Sequence, residues 1–529
     1  MRFISDGPIV PDHLLDARDA GQTVFVCGAG VSIPAGMPTF AGLASYVIDQ
    51  LSPQASSESA RAFEPWRSGF EGTKRPLDEI FNLLTEEFGR DLVNRMVAER
   101  LATVGTQGAA SRPHEIIGKL SADQMGRPQI VTTNFDHLFD ESCPKHTFRD
   151  YTPPSFPRMR HGEVFSGIAY LHGKLAKSGS FQSELVLTSS DFGRAYLAKG
   201  WATEFVRALL QRYTVVLVGY QAEDPPMKYL LQGLMEDGAA DRSRLFAFDR
   251  GEPDEIKAKW RDRPVTALAY PGEGSDHSAL WVTLAAWAER ADDPRAWKSK
   301  IVDMARWGPR GLLAHERGMV AHLVRTQPGA KLFSLAEPPI TPEWLCVFDG
   351  HCRAGKVSSG YGPDADVFDP LTVYGIDDDP PRPPENKRQQ ESIHDDMMGW
   401  RPGDENPFVT LRGRVVDGNE PLPPRLSSLA HWIVRTCDSP IVAWWASRWN
   451  GLHPQLVRSL TYAIRHNNTL DHNARSLWNI ILECLARGNM SDEDMEWFAL
   501  RERIKLEGWP PNVPRAFQRV TERAIAESW

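Results

Sequence analysis

The chain has 529 residues, too many for one hydrophobic core, so roughly two to four domains are expected. With 41% hydrophobic and 24% charged residues, it reads as an ordinary globular protein. A net charge of −9 argues against non-specific nucleic-acid binding, which needs a basic footprint.

No run reaches about 18 apolar residues, so no membrane span is expected. The opening MRFISDGPIV lacks the apolar core and small-residue cleavage site of a secretion signal, and a cytoplasmic location follows. The cysteines Cys27, Cys143, Cys346, Cys352, Cys437 and Cys484 are scattered, with no C-x-x-C pair. A structural zinc site is therefore not expected. The 17 tryptophans, many after residue 280, read as core and interface packing.

Up to about residue 290, short apolar runs alternate with helical patterns. That alternation predicts a parallel sheet with helices on its faces. Strands are predicted at Thr23–Cys27, Gln129–Thr132, Ile168–Leu171, Leu185–Leu187, Thr214–Val218, Arg244–Phe248 and Val265–Ala269. The first runs into Gly28-Ala29-Gly30 and then toward a helix. Bare backbone N–H groups at such a turn can hold a pyrophosphate. The run lacks the third glycine of the dinucleotide fingerprint, so by itself it does not settle the matter.

Residues 52–76 read as a loop or short helices. Leu77, Ile80, Phe81, Leu84, Phe88, Leu92 and Met96 recur at spacings of mostly three and four, one apolar stripe of a long helical stretch. The strand at 129–132 then ends in Thr133-Asn134-Phe135-Asp136. This sets an amide and a carboxylate at a strand's carboxyl end, where open α/β sheets bind ligands. Asn134 can orient a ribose hydroxyl or a water through donor and acceptor alike. Asp136 can accept from a carboxamide or cap the following helix, and both readings stand. A third strand ends at His172-Gly173, and a fourth, Thr214–Val218, at Gly219. A second stripe from about Ala195 to Tyr213 leads into that fourth strand. Residues 277–291 close the region as a helix.

Helical patterns follow at 295–306 and 311–326, with a short strand predicted at 344–348. Residues 354–422 are rich in Pro, Gly and Asp and read as a linker, with another short β segment at 407–416. From 423 to 529, amphipathic helices joined by Pro and Gly turns predict a helical bundle or array. The domains expected are 1–292, a linking region 293–422, and a helical sensor or assembly domain 423–529.

The ordered set GAGVS-x-x-AG-x-P, TTNFD, LHG and VGY resembles the sirtuin family of NAD-consuming enzymes, over roughly residues 15–290. The resemblance implies a Rossmann-like parallel-sheet sirtuin-type α/β domain with inserted helices, followed by a mainly α-helical C-terminal region. It places Gly28, Ala29, Gly30 and Ser32 at the NAD pyrophosphate. It places Asn134 and Asp136, with Thr133 beside them, around the nicotinamide and its ribose, makes His172 the catalytic histidine, and sets Gly219 near the adenosine half. Asp249, ending RLFAFD, is a candidate acceptor for the adenine ribose.

The departures matter too. Deacetylating sirtuins carry two C-x-x-C zinc pairs after the catalytic histidine, yet residues 173–213 contain no cysteine. Their P-D-F-R element is here Pro38-Thr39-Phe40-Ala41, and Thr133 replaces the usual Gln. The chain thus looks more like the sirtuin-like NAD hydrolases of bacterial anti-phage defence.

The expected reaction takes NAD+ as substrate, with no metal, and cleaves the nicotinamide–ribose bond through an oxocarbenium-like state. Asn134 would position water or ribose, Asp136 would hold the carboxamide, and His172 would be the base, with a pKa near working pH. A homo-oligomer is expected, with a protein partner or phage-derived trigger acting through the C-terminal half. Nucleic acid and membranes are not expected partners. A protein deacylase or ADP-ribosyltransferase, and a non-catalytic NAD or ADP-ribose sensor or scaffold, are the rival readings.

Overall fold

The computed structural model describes residues 1–70, 72–102, 112–143, 148–157, 159, 164–175, 181, 184–220, 225–236, 242–274, 276–348, 376, 411, 421–447 and 452–487. The chain forms two compact units, Asp6–Asp293, and Met1–Ser5 together with the chain from Pro294 onward.

The first unit is built on seven strands: β1 (Thr23–Cys27), β2 (Gln129–Thr132), β3 (Asp150–Tyr151), β4 (Gly167–Tyr170), β5 (Thr214–Val218), β6 (Leu245–Arg250) and β7 (Thr266–Tyr270). Their order is β3-β4-β2-β1-β5-β6-β7, and every neighbouring pair is parallel. Helices cover both faces, so β1 and β5 are buried at every residue and read as unbroken apolar runs. After β1 the chain builds β2, β3 and β4 on one side, then returns to place β5 on the other. The carboxyl ends of β1 and β5 therefore flank a topological switch point, where such sheets open a ligand crevice.

Between β1 and β2 lie the helices Phe40–Leu51, Glu58–Arg67, Leu77–Phe88 and Arg90–Ala102. The long apolar stripe breaks into two helices at Gly89, whose φ of +86° suits a residue without Cβ. Glu58–Arg67 is more than a loop insertion: Ser57 caps it and Phe63 enters a core with Leu43, Ile80, Phe81 and Val97. Each such side chain contributes about 1.5–3 kcal/mol of burial. Phe135, Leu175 and Leu185 join the same core, so these helices pack on the segments that follow β2 and β4.

Three local expectations differ from the structure. Leu185–Leu187 is not a strand; it lies outside the sheet, and the Val186 N–H donates to the His172 carbonyl at 2.9 Å. Residues 344–348 are not a strand either. Pro342–Trp344 forms a 3₁₀ turn leading into the helix Leu345–Phe348, with the Thr341 side chain accepting from the Glu343 N–H. A short, wholly buried apolar run carries no period to distinguish the two. The two-residue β3 was not anticipated. The linker at 354–422 and the β segment at 407–416 lie almost wholly outside the described residues, and residues 488–529 of the predicted helical region lie entirely outside them.

In the second unit, the helices Pro294–Ala305, Ala314–Arg325 and Gln327–Ser334 assemble with Pro424–Arg435, Pro454–His466 and His472–Arg487. Phe333 meets Trp432 edge-on at 5.1 Å. The indole N–H groups of Trp344, Trp432 and Trp478 donate to the carbonyls of Ala305, Ile340 and Cys437 at 2.8, 2.9 and 2.9 Å. These tryptophans are core residues with satisfied donors. Among the described residues no single helix is long and apolar enough to cross a membrane.

Candidate functional site

The strand register sets Cys27, Thr132, Tyr170 and Val218 abreast at the carboxyl ends of β1, β2, β4 and β5. The segments that follow them therefore leave the sheet at the same edge. At the switch point two glycine turns interlock. The Gly28 N–H donates to the Val218 carbonyl at 3.1 Å and the Gly30 N–H to the Gly219 carbonyl at 3.0 Å. A Cβ on Gly28 would lie 2.5 Å from the Gly219 oxygen, and one on Gly30 2.8 Å from the Gly219 Cα. Gly219, at φ +60°, would place its own Cβ 2.7 Å from the Val31 nitrogen. These glycines thus let two backbones touch. The Gly28 and Gly30 N–H groups are satisfied by the neighbouring strand end.

Asn134 ties β2 to this turn. Its Nδ2 donates to the Gly28 carbonyl at 3.0 Å and to Ser32 Oγ at 2.9 Å. Both amide hydrogens are therefore engaged, and Oδ1 is left as an acceptor. Ser32 Oγ also lies 3.2 Å from Nε2 of the buried His114. Burial lowers the His114 pKa, with the charge of Asp136 opposing. Among the described residues, His114 Nδ1 has no partner. Thr133 donates its N–H to the Cys27 carbonyl at 3.0 Å. Asp136 is buried and its Oδ1 accepts the Leu138 N–H at 3.1 Å, so the carboxylate does serve the start of the next helix.

His172 follows β4 and is 5% exposed. Its Nε2 lies 3.0 Å from Tyr196 Oη, and its ring meets Phe192 edge-on at 5.1 Å. Burial pushes its pKa down to about 3, far below the working-pH value expected, so the imidazole is neutral. Two residues on, the buried Lys174 pairs with Asp140 at 2.6 Å and with Asp150, and sits 4.5 Å over the Tyr170 ring. Tyr170 also donates to Asp140 at 2.7 Å. This charged cluster pins short β3 and the end of β4 together.

One cavity of about 270 Å³ opens onto this edge, near the lower end of the roughly 300–1,000 Å³ usual for small-molecule sites. Ala29, Ser32, Thr133, Asn134, Asp136, His172 and Gly219 all line it. Apolar wall comes from Met37, Phe40, Leu43, Phe135 and Phe192. Gly28 and Gly30 lie behind the wall in the interlock. Asp249 does not line the cavity. Its Oδ2 accepts from Lys259 at 2.7 Å and from the Trp260 indole at 2.9 Å, and its Oδ1 from the Arg250 N–H at 2.9 Å. The carboxylate expected to meet a ribose instead holds the helix after β6.

Residues 128–268 match the family described as SIR2-like domain. The chain carries a SIR2-like domain. Uncharacterized protein y4cA of Sinorhizobium fredii is 33% identical to it over 324 residues. That stretch covers 58% of this chain and 26% of the relative, so the chain spans about a quarter of the relative's length.

The matched family is sirtuin-like. Its matched range begins after the β1 turn, yet Asn134 and Gly219, both within it, bind that turn directly. Thr39, which precedes the matched range, has its Oγ1 capping the helix Phe40–Leu51 by accepting from the Gly42 N–H at 3.0 Å. Among the described residues no group of three or more His, Cys, Asp or Glu could hold a metal ion. Sequence reasoning missed His114 and Tyr196. Both sit within ordinary amphipathic helical patterns, and only the fold brings them to Ser32 and His172.

Proposed function

We propose that this SIR2-like domain is an NAD+ hydrolase. The observation that carries the reading is the convergence of Asn134, Asp136 and His172 on one cavity beside the β1 turn. The bond between the nicotinamide nitrogen and ribose C1′ breaks, and nicotinamide leaves with the electron pair as a neutral ring. Water bonds to C1′ and gives up one proton, so the products are nicotinamide, ADP-ribose and H⁺.

Each residue has a defined task. Asn134 Oδ1 accepts from the attacking water or a ribose hydroxyl, because Nδ2 is already fixed on Gly28 and Ser32. Neutral His172 has a lone pair for the proton that is lost, since burial disfavours the imidazolium before reaction. Asp136 faces the carboxamide of nicotinamide. Met37, Phe40 and Phe192 limit water around the reacting bond. Unchecked loss of NAD is lethal, so the second unit would restrain the enzyme. Release by a phage-derived signal or protein partner, within a homo-oligomer, would make it an abortive-infection defence in the cytoplasm.

Nicotinamide release from the purified full chain, with and without lysate of phage-infected cells, tests this. Release is expected with lysate, and Asn134→Ala and His172→Ala should abolish it. Full activity in both variants sinks the site assignment. Stable NAD in both conditions sinks the activity. Deacylation of an acyl-lysine peptide would replace hydrolysis with acyl transfer.

A further inference from the structure

Tyr196 is 3% exposed, so its phenol is held inside the fold. It lies on the π-helical turn Gly193–Ala198, a rare geometry that concentrates at functional sites. That turn is held at both ends. At its start, Thr188 and Asp191 form a capping box, and Asp191 also pairs with Arg90 at 3.0 Å and Arg194 at 2.6 Å. At its end, Thr203 Oγ1 donates to the Tyr196 carbonyl at 2.7 Å. The Tyr196 ring stacks on Phe192, 6.1 Å away and 19° from parallel. Phe192 in turn meets His172 edge-on. The phenol oxygen is thus placed by rigid surroundings 3.0 Å from His172 Nε2.

Tyr196 does not line the cavity, whereas His172 does. Nε2 is therefore taken up by the wall. The other ring nitrogen, Nδ1, makes no hydrogen bond among the described residues. A neutral imidazole carries one proton, and the partner of one nitrogen decides which. If the phenol donated to Nε2, the proton would sit on Nδ1 and the ring could only donate into the cavity. A base needs the opposite arrangement.

We propose that Tyr196 is the positioning residue for His172: it accepts the Nε2–H, fixes the ring plane, and leaves the Nδ1 lone pair facing the cavity. This rests on the hydrolase reading for its catalytic consequence. During hydrolysis the proton lost by water goes to Nδ1, and the Nε2–H bond to Tyr196 supports the imidazolium that forms.

The test is the two-bond ¹H–¹⁵N pattern of the full-length chain labelled with ¹⁵N-histidine, the His172 signals being assigned by their loss in His172→Gln. The wild type should show Nε2 protonated and Nδ1 bare. Tyr196→Phe, which keeps the ring stacked on Phe192, should shift His172 toward the other tautomer. It should also lower kcat for nicotinamide release at least about tenfold, with KM for NAD within about twofold. An Nδ1-protonated ring in the wild type overturns the proposal. So does a Tyr196→Phe variant with the wild-type tautomer or with unaltered kcat. The wild-type spectrum alone tests proton placement, so the proposal does not depend on the variant folding. If the wild type releases no nicotinamide, the hydrolase reading fails while the ring signals still decide the tautomer.

Discussion

Asn134 Nδ2 lies 3.0 Å from the Gly28 carbonyl, which fastens the residue after β2 to the turn after β1. A carbonyl can only accept, so this bond fixes which end of the amide is nitrogen. Asn134→Asp keeps the size and places a carboxylate oxygen against that carbonyl. We expect nicotinamide release to fall at least about a hundredfold and stability to fall by about 1–3 kcal/mol. Parallel turnover assays and urea unfolding check this. A variant with wild-type turnover would refute the orientation given to the amide.

The interlocked glycines make a second prediction, about folding. Gly219→Ala combines a positive φ with a Cβ 2.7 Å from backbone, and neither neighbour is a flexible side chain. Gly69→Ala has a similar φ of +68° and nothing within 4 Å. The second change should cost about 1 kcal/mol from backbone strain alone, and the first several times more. Thermal unfolding of the two variants separates close approach from conformational strain. Equal losses would remove the interlock as the reason for glycine at 219.

The contrast explains what was legible in the sequence. β1, β2 and β5 were readable to the residue because each is a buried stretch with an apolar centre, closed by a glycine or polar cluster. The residues after β1, β2, β4 and β5 were expected to share one edge of the sheet for the same reason, and residues from all four segments line the cavity there. Leu185–Leu187 looks like another such run, but its backbone serves His172 and its leucines enter the helical core. Short apolar segments report burial and leave the pairing partner open. His114 and Tyr196 could not be found by pattern because their partners are 82 and 24 residues away. A strand-end acid such as Asp249 reads alike in sequence whether it meets a ligand or, as in this structure, the Trp260 indole.

Burial of His172 gives a pH prediction. The folded chain holds its pKa near 3, below the ordinary 6.5 that the unfolded chain regains. Between those values the unfolded chain binds a proton that the folded one does not. Stability therefore rises with pH across this window and falls on acidification, with a limiting slope of about 1.4 kcal/mol per pH unit. His172→Gln keeps a hydrogen-bonding group toward Tyr196 and removes the titration. Urea midpoints taken from neutral pH down to about 5 should decline less steeply in the variant. His114 is shifted the same way and remains in both proteins, so it cancels in the comparison. Parallel declines would show that His172 is not held neutral by the fold.

Asp249 supplies the last prediction, in which a strand-end carboxylate matters for structure and not for substrate. Its oxygens accept from Lys259, the Trp260 indole and the Arg250 N–H, and Trp260 is 2% exposed within the core that covers β5 and β6. Asp249→Ala leaves that indole N–H buried without an acceptor and frees Lys259. We expect a loss of about 1–3 kcal/mol in unfolding free energy. KM for NAD should stay within about twofold of wild type, because the carboxylate has no place in the cavity wall. A large rise in KM with unchanged stability would reverse both expectations, and would mean that the helix after β6 moves aside to let Asp249 meet the adenine ribose.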